Sequence, residues 1–355
     1  MDEPHLCVFF VHRGVIMKDY SNILIIKMSS LGDVIHALPT LYALRQNLPH
    51  AKITWAIHEQ FASLLPGTPW VDEVIVIDKK QLKSPSYLWN LRKELHSRHF
   101  DMTLDLQCIA KSAIVSLLSG SPEKYGYWEL REGSQLVNKA LVGAHKYDHV
   151  IERYLDTVRA LGGEVDGVEF PMPHDHAAEG KIRNRLSELG VTDDYVVVVP
   201  GARWIVKEWP LLNFGELCIR LCESGKKVVI AGSPDDSEKG QFIENYVKSD
   251  NLINLVGQTT MAELIELIRH CHIFISADTG PLHIANALKK PLIALFGTTS
   301  PHRTGPYGGS HVHLIISPTS KATPEQPLVD DSDCMAQIPV DAVWDVYSEM
   351  LRKDL

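Results

Sequence analysis

Three short segments of this 355-residue chain combine turn-forming residues with acids, cations and hydroxyls at spacings that could do chemistry. The first is Lys27-Met28-Ser29-Ser30-Leu31-Gly32-Asp33. Its glycine permits a tight turn, the hydroxyls of Ser29 and Ser30 would face a crevice at the end of a strand, and Asp33 falls in the first turn of a following helix. Such an aspartate is either a base for a bound hydroxyl or a helix cap worth about 1 kcal/mol, and spacing leaves both open. The second segment runs from Pro200 to Pro210 (PGARWIVKEWP). Arg203 and Lys207 sit there in a glycine-started loop that either neutralises an anion, as a phosphate leaving group requires, or is an ordinary solvated loop. The third, Ala277 to Ala285 (ADTGPLHIA), reads as strand, turn and helix with Pro281 near the first helical position. Its amides at Thr279 and Gly280 can hold a diphosphate without a lysine, and His283 adds a donor, while Asp278 is either part of that site or a cap. Gly232 to Asp236 (GSPDD) offers a carboxylate for a ribose, or a polar turn. No G-x-G-x-x-G loop accompanies the first strand, although Glu59 imitates the acidic ribose ligand of dinucleotide folds, which leaves a nicotinamide-dependent oxidoreductase as a rival reading.

The elements that must position these segments alternate in the manner of βαβ units. Strands are expected at 22–28, 52–57, 73–77 and 102–106, the last leading to Gln107, with helices after Asp33 and over 87–96. Residues 163–178, rich in Gly, Pro and acids without helical period, mark a domain boundary. The same grammar then restarts, with strands at 195–199, 227–231, 273–276 and 291–296 and helices at 213–224, 261–270 and 280–288. Two doubly wound α/β halves would place a cleft between the carboxyl ends of both sheets. Residues 340–351 read as an amphipathic helix that has to dock somewhere.

Composition narrows the partners. The net charge is -9, and the basic-to-acidic balance is 18 against 20 up to His174 but 17 against 24 beyond it. That excludes the concentrated basic face of a nucleic-acid binder and makes the first half the better host for an anion. Six cysteines without paired spacing suit reduced thiols and a cytoplasmic protein. The apolar runs are far below the ~20 residues that span a bilayer. Residues 1–20 lack the pattern of a signal peptide, and residues 1–16 are expected to be a poorly ordered extension or a mis-called start ahead of Met17. His174-Asp175-His176 and His270-Cys271-His272 lack zinc-like spacing, so no metal is expected. Cys218 and Cys222, four apart on one helical face, read as core.

The combination of K-x-S-S-L-G-D, K-E-W-P and S-A-D-T-G-P-L-H-I-A-N-A-L with A-L-F-G-T-T-S-P-H-R-T-G-P-Y-G resembles the ADP-heptose:lipopolysaccharide heptosyltransferases, glycosyltransferase family 9, from about Asn22 to Leu351. The stretches DLQCIAKS (Asp105 to Ser112), Arg131-Glu132-Gly133-Ser134 and HVIERYLD (His149 to Asp156) resemble the first inner-core heptosyltransferase more than the second. The resemblance implies a GT-B fold of two Rossmann-like domains. After an extension over 1–20, an acceptor domain would cover 21–170 and an ADP-sugar domain 171–335, with a helix over 336–355 packing back across the cleft. It implies that Asp33 is the general base and that Lys207, assisted by Arg203, neutralises the departing diphosphate. Arg203 stands where the family usually has a small hydroxyl residue. Asp278, Thr279, Gly280, Pro281 and His283 would hold the donor's phosphates and heptose, and Asp236 its ribose. Ser30, Gly32, Gln107, Lys111 and Arg131 would meet the anionic Kdo-lipid A acceptor. The implied reaction moves heptose from ADP-L-glycero-D-manno-heptose to the lipopolysaccharide inner core without a cofactor or metal. It would occur in the cytoplasm or peripherally at the inner membrane. The alternative keeps the fold with another nucleotide sugar, as a transferase or epimerase, and a non-catalytic sugar-nucleotide sensor is the binding-module rival.

Overall fold

A computed structural model describes residues 17–192, 194–331 and 333–353. The expectations for residues 1–16 therefore lie outside the described residues. The first half forms a six-stranded parallel sheet from β1 (Asn22–Ile26), β2 (Lys52–Ile57), β3 (Glu73–Val76), β4 (Met102–Asp105), β5 (Glu123–Tyr127) and β6 (Lys139–Leu141), in the order β3-β2-β1-β4-β5-β6. The second half repeats it with β7 (Tyr195–Val199), β8 (Lys227–Ile230), β9 (Leu252–Asn254), β10 (Ile273–Ala277), β11 (Leu292–Phe296) and β12 (Val312–Ile316), in the order β12-β11-β10-β7-β8-β9. Read from the other edge, the second order is the same as the first. Ile23 to Ile26 of β1, Val196 to Val199 of β7 and all of β11 (LIALF) are apolar because helices cover both faces of a parallel sheet.

The helices are α1 (Leu31–Asn47), α2 (Pro85–His96), α3 (Ala110–Leu118), α4 (Val150–Ala160), α5 (His176–Glu188), α6 (Leu211–Glu223), α7 (Ser237–Val247), α8 (Met261–His270), α9 (Gly280–Ala287), α10 (Pro301–Thr304) and α11 (Val340–Lys353). None of the described helices is long and apolar enough to cross a membrane. Ligands of doubly wound sheets bind outside the carboxyl ends of the strands where the order reverses. Here those points lie between β1 and β4 and between β7 and β10, and four of the sequence segments singled out above follow these strands directly.

The two halves share a core. Val34, Ile35, Leu38 and Leu41 of α1 are buried in one cluster with Leu282, Ile284 and Ala285 of α9. Each such side chain contributes roughly 1.5–3 kcal/mol on burial. The contact is close because two glycines permit it. A Cβ on Gly280 would stand 3.0 Å from Leu31, and one on Gly32 would stand 2.5 Å from His283 Cδ2.

Two expectations need correction. The first strand stops at Ile26 rather than Met28, because the N–H groups of Met28 and Ser29 donate to Gln107 Oε1 (both 3.1 Å) instead of a neighbouring strand. The C-terminal helix does not pack back across the cleft. Its Val340, Val343, Tyr347 and Met350 join Phe214 and Leu217 of α6 and Ile293 and Leu295 of β11 in the core of the second sheet.

Candidate active site

Asp33 is held by the turn that precedes it. Ser30 is the N-cap of α1, and its N–H (3.1 Å) and hydroxyl (2.8 Å) both donate to Asp33 Oδ2, so the capping reading of this aspartate is correct as far as it goes. Among the described residues no hydrogen bond falls on Oδ1, which leaves that oxygen free to accept a proton. Burial alone would raise the carboxyl pKa. The Lys27 ammonium, the two Ser30 bonds and His283 outweigh it and hold Asp33 below the usual carboxylate range. Lys27 is buried and donates to the Leu106 carbonyl (2.9 Å) and the Tyr154 hydroxyl (2.8 Å), with its Nζ 4.9 Å from the Tyr154 ring centre.

Asp105, at the end of β4, organises the facing loop. It accepts from the N–H groups of Gln107 and Cys108 (both 2.9 Å), from Ser112 Oγ (2.8 Å) and from Asn138 Nδ2 (2.8 Å). Burial nevertheless pushes its carboxyl up to about 6, against those bonds and Lys27. Gln107 thereby bridges the β4 and β1 ends, and the structure shows it as a brace for the Asp33 loop. Lys111 and Arg131 lie on the same rim, exposed and without an ion pair among the described residues.

Across the interface, Lys207 extends from the loop after β7 and donates to Asp278 Oδ2 at 2.7 Å. Thr299 Oγ1 donates to the same oxygen at 2.7 Å. Asp278 is buried directly after β10, so the pair joins the two loops that flank the second switch point. Buried Trp209 anchors the Lys207 loop by donating Nε1–H to the Ile338 carbonyl (2.9 Å). At the loop tip Arg203, Trp204 and Ile205 are exposed, and Arg203 has no partner among the described residues. Thr279 caps α9 without a side-chain bond, and with Pro281 lacking an N–H and the Leu282 N–H donating to the Thr279 carbonyl (3.2 Å), the Gly280 N–H is the open donor of this helix start. His283 Nε2 is 3.9 Å from Asp278 Oδ1.

Asp236 is less free than its sequence context suggests. It accepts from the Ser233 N–H (3.1 Å) and hydroxyl (2.6 Å) and from Lys239 Nζ (2.9 Å). Lys239 also donates to Glu208, which accepts from the Ala202 N–H (3.1 Å), and this chain fixes the loop before Lys207. Glu59 is exposed in a turn after β2.

Sequence reasoning missed the contacts between the halves. His36 of α1 packs edge-on against His283 (ring centres 4.4 Å apart) and His149 (5.6 Å). Both ring nitrogens of His36 and Nδ1 of His283 are buried without a hydrogen bond. Burial pushes His149 down to about 4 and drives His36 and His283 below the ordinary histidine value as well. The loop after β11 adds three ties to the first half: His149 Nε2 with the Gly305 carbonyl (3.0 Å), the Tyr307 hydroxyl donating to Glu152 (2.6 Å), and Arg303 beside Glu129 (3.4 Å). The only sequence signal for these was that the histidines interrupt otherwise apolar helical faces.

Residues 88–334 match the model of "Glycosyltransferase family 9 (heptosyltransferase)", which is more than half of the chain. The chain belongs to glycosyltransferase family 9. This family 9 glycosyltransferase is 28% identical over 305 residues to lipopolysaccharide heptosyltransferase 1 of Pseudomonas aeruginosa, covering 82% of this chain and 83% of that one. It is 27% identical over 338 residues to lipopolysaccharide heptosyltransferase 3 of Escherichia coli, covering 91% and 96%. Its fold matches the crystal structure of a family 9 glycosyl transferase from Veillonella parvula with a TM-score of 0.84, at 22% identity and with 96% and 99% of the two chains covered. The two facing α/β halves are those of a GT-B glycosyltransferase, and with that family the oxidoreductase reading of Glu59 falls away.

Proposed function

We propose that this glycosyltransferase moves heptose from ADP-L-glycero-D-manno-heptose to the Kdo-lipid A inner core of lipopolysaccharide, by a single inverting displacement. The observation that carries the reading is the pairing of an aspartate with one free carboxylate oxygen, Asp33, and a lysine held on a carboxylate, Lys207 on Asp278, at the switch points of two facing sheets. Asp33 Oδ1 takes the proton of the acceptor hydroxyl as its oxygen attacks the anomeric carbon. The bond from that carbon to the diphosphate breaks on the opposite face. Lys207 exchanges Asp278 for the departing diphosphate, and the Gly280 N–H at the start of α9 shares its charge. The depressed pKa of Asp33 makes it a weak base before substrate arrives, and a bound acceptor that excludes water raises its basicity. Thr279, Gly280, Pro281 and His283 line the donor's phosphates and sugar, with Asp236 on the ribose side and Arg203 at the entrance. Ser30 and Gly32 border the acceptor hydroxyl, and Lys111 and Arg131 face its anionic groups. No metal or cofactor is assigned a part in these steps. The acceptor is lipid-anchored, so the enzyme would work in the cytoplasm at the inner face of the membrane.

Relatives named heptosyltransferase 1 and 3 match at 28% and 27%, so the choice of the first core heptose rests on the motifs at 105–112, 131–134 and 149–156. The test is to incubate the protein with ADP-heptose and Kdo-lipid A and weigh the lipid. A product heavier by one heptose supports the reading. Transfer only to an already heptosylated core moves the enzyme to a later step, and transfer only from another nucleotide sugar overturns the donor assignment.

A further inference from the structure

The segment that joins the two halves ends in a group of side chains that takes no part in the cleft. His174 precedes α5, His176 opens it, and Glu179 lies in its first turn. His174 Nε2 is 3.0 Å and His176 Nδ1 3.4 Å from the same oxygen, Glu179 Oε2, and the two imidazole rings stand 4.2 Å apart. One donor atom from each of the three lies within 4.8 Å of the others. The His-x-His spacing lacks a second pair of ligands in the sequence, but the helical turn supplies a third donor from Glu179.

From these residues we propose a binding site for one divalent transition-metal ion of the zinc type at His174, His176 and Glu179. Tetrahedral zinc with bonds of roughly 2.0–2.1 Å sets neighbouring donor atoms about 3.3 Å apart, close to the two nitrogen-to-carboxylate distances of 3.0 and 3.4 Å. Two imidazoles and a carboxylate suit Zn2+, Ni2+ or Cu2+ and are a poor set for Mg2+, which prefers oxygen ligands and retained water. The carboxylate is already oriented. Its other oxygen, Oε1, is 3.0 Å from His270 Nε2 and 3.4 Å from Arg183 Nε. Arg183 Nη2 is also 3.3 Å from His270 Nδ1. Oε2 is thus the oxygen left for a cation.

The electrostatic balance has two opposing parts. The helix N-terminus and Arg183 disfavour a cation, the former by roughly 0.3–1 kcal/mol, and Arg269 occupies Glu266, whose Oε2 stands 3.8 Å from His174 Nε2. Coordination bonds from three preset donors outweigh a term of that size. Access is open, since the side chains of His174 and His176 are 43% and 82% exposed, and water or an incoming ligand would complete the coordination. The group borders a cavity of about 490 Å³ lined by Ser63 and Gly67 of the first half and by His174, Ala262 and Glu266 of the second. All three ligands lie at the start of α5, so a bound ion would tie His174 to the first turn of that helix. None of its ligands contacts Asp33, Lys207 or Asp278, and the site is structural in character.

The test uses the full chain stripped with EDTA and titrated with Zn2+ by calorimetry and by competition with a chromogenic chelator. Co2+ reports geometry through its visible spectrum. The expected result is one Zn2+ per chain with a Kd of micromolar or tighter, a raised thermal midpoint with Zn2+ and none with Mg2+, and a tetrahedral Co2+ spectrum. A His174→Ala/His176→Ala double variant, whose metal-free melting should match the parent, should bind at least a hundredfold more weakly. Glu179→Gln should bind at least tenfold more weakly. No binding below millimolar Zn2+ overturns the proposal. So does a double variant that keeps its affinity within threefold, since the ion would then sit elsewhere, for example on the buried histidines of the cleft.

Discussion

His283 of the second half lies directly over Gly32 of the first, so that a Cβ at Gly32 would stand 2.5 Å from its Cδ2. This one approach sets the N-terminus of α1, which carries Asp33, against the N-terminus of α9. Gly32→Ala should therefore push the two α-helical N-termini apart, although alanine is the better helix former. The expected outcome is a stability loss of about 1–3 kcal/mol from overpacking and a fall of at least tenfold in kcat/KM. Gly67→Ala, where a Cβ meets nothing within 4 Å, should change neither. Denaturant melts and initial rates on the two variants check it.

Lys207→Ala removes the cation bound to Asp278 and leaves that buried carboxylate with Thr299 as its partner. Loss of a preorganised charge at a leaving group typically costs about 10²–10³-fold in rate. Steady-state kinetics with varied ADP-heptose should show a fall of that size in kcat/KM. A variant within threefold of the parent would remove Lys207 from the mechanism.

The histidines between the halves make stability depend on pH. His149 titrates at about 4 in the folded chain, and His36 and His283 are also depressed because burial disfavours their charged forms. Between about 6.5 and 4 the unfolded chain takes up protons that the folded chain refuses. Their contribution is present above about 6.5 and is lost as pH falls towards 4. Urea midpoints should drop through that window, and His149→Gln should flatten the drop. An unchanged slope in the variant would assign the acid limb to other groups.

Much of this architecture is legible in the sequence. Apolar runs such as Tyr195 to Val199 have one reading in a parallel sheet, and the glycine turns after β1 and β10 announce where a ligand belongs. The contacts between the halves are not legible. His36 looks like one more residue on a buried helix face, and its neighbours His149 and His283 come from elements far away in the chain. Short, partly exposed strands such as β12 escaped for a related reason, because half-buried VHLII carries little periodic signal. The docking of α11 beside α6 and β11 is a contact between elements distant in the chain, which no local pattern records.

Lys111 and Arg131 are exposed cations without ion pairs among the described residues, so replacing either with alanine should leave stability within about 0.5 kcal/mol. Their effect should appear in the KM for the anionic acceptor, raised severalfold with kcat held. The rise should shrink as salt increases, because screening weakens exposed charges. A change confined to the donor KM would move them to the other substrate.

If Asp33 is the base as proposed, it does more than complete the capping box with Ser30. Asn at this position still accepts from Ser30 but cannot take a proton, so Asp33→Asn separates the two roles. Single-turnover transfer from ADP-heptose to Kdo-lipid A should fall by roughly 10²–10⁴-fold, with ADP-heptose affinity within about twofold of the parent. Transfer by the variant within tenfold of the parent would contradict the account.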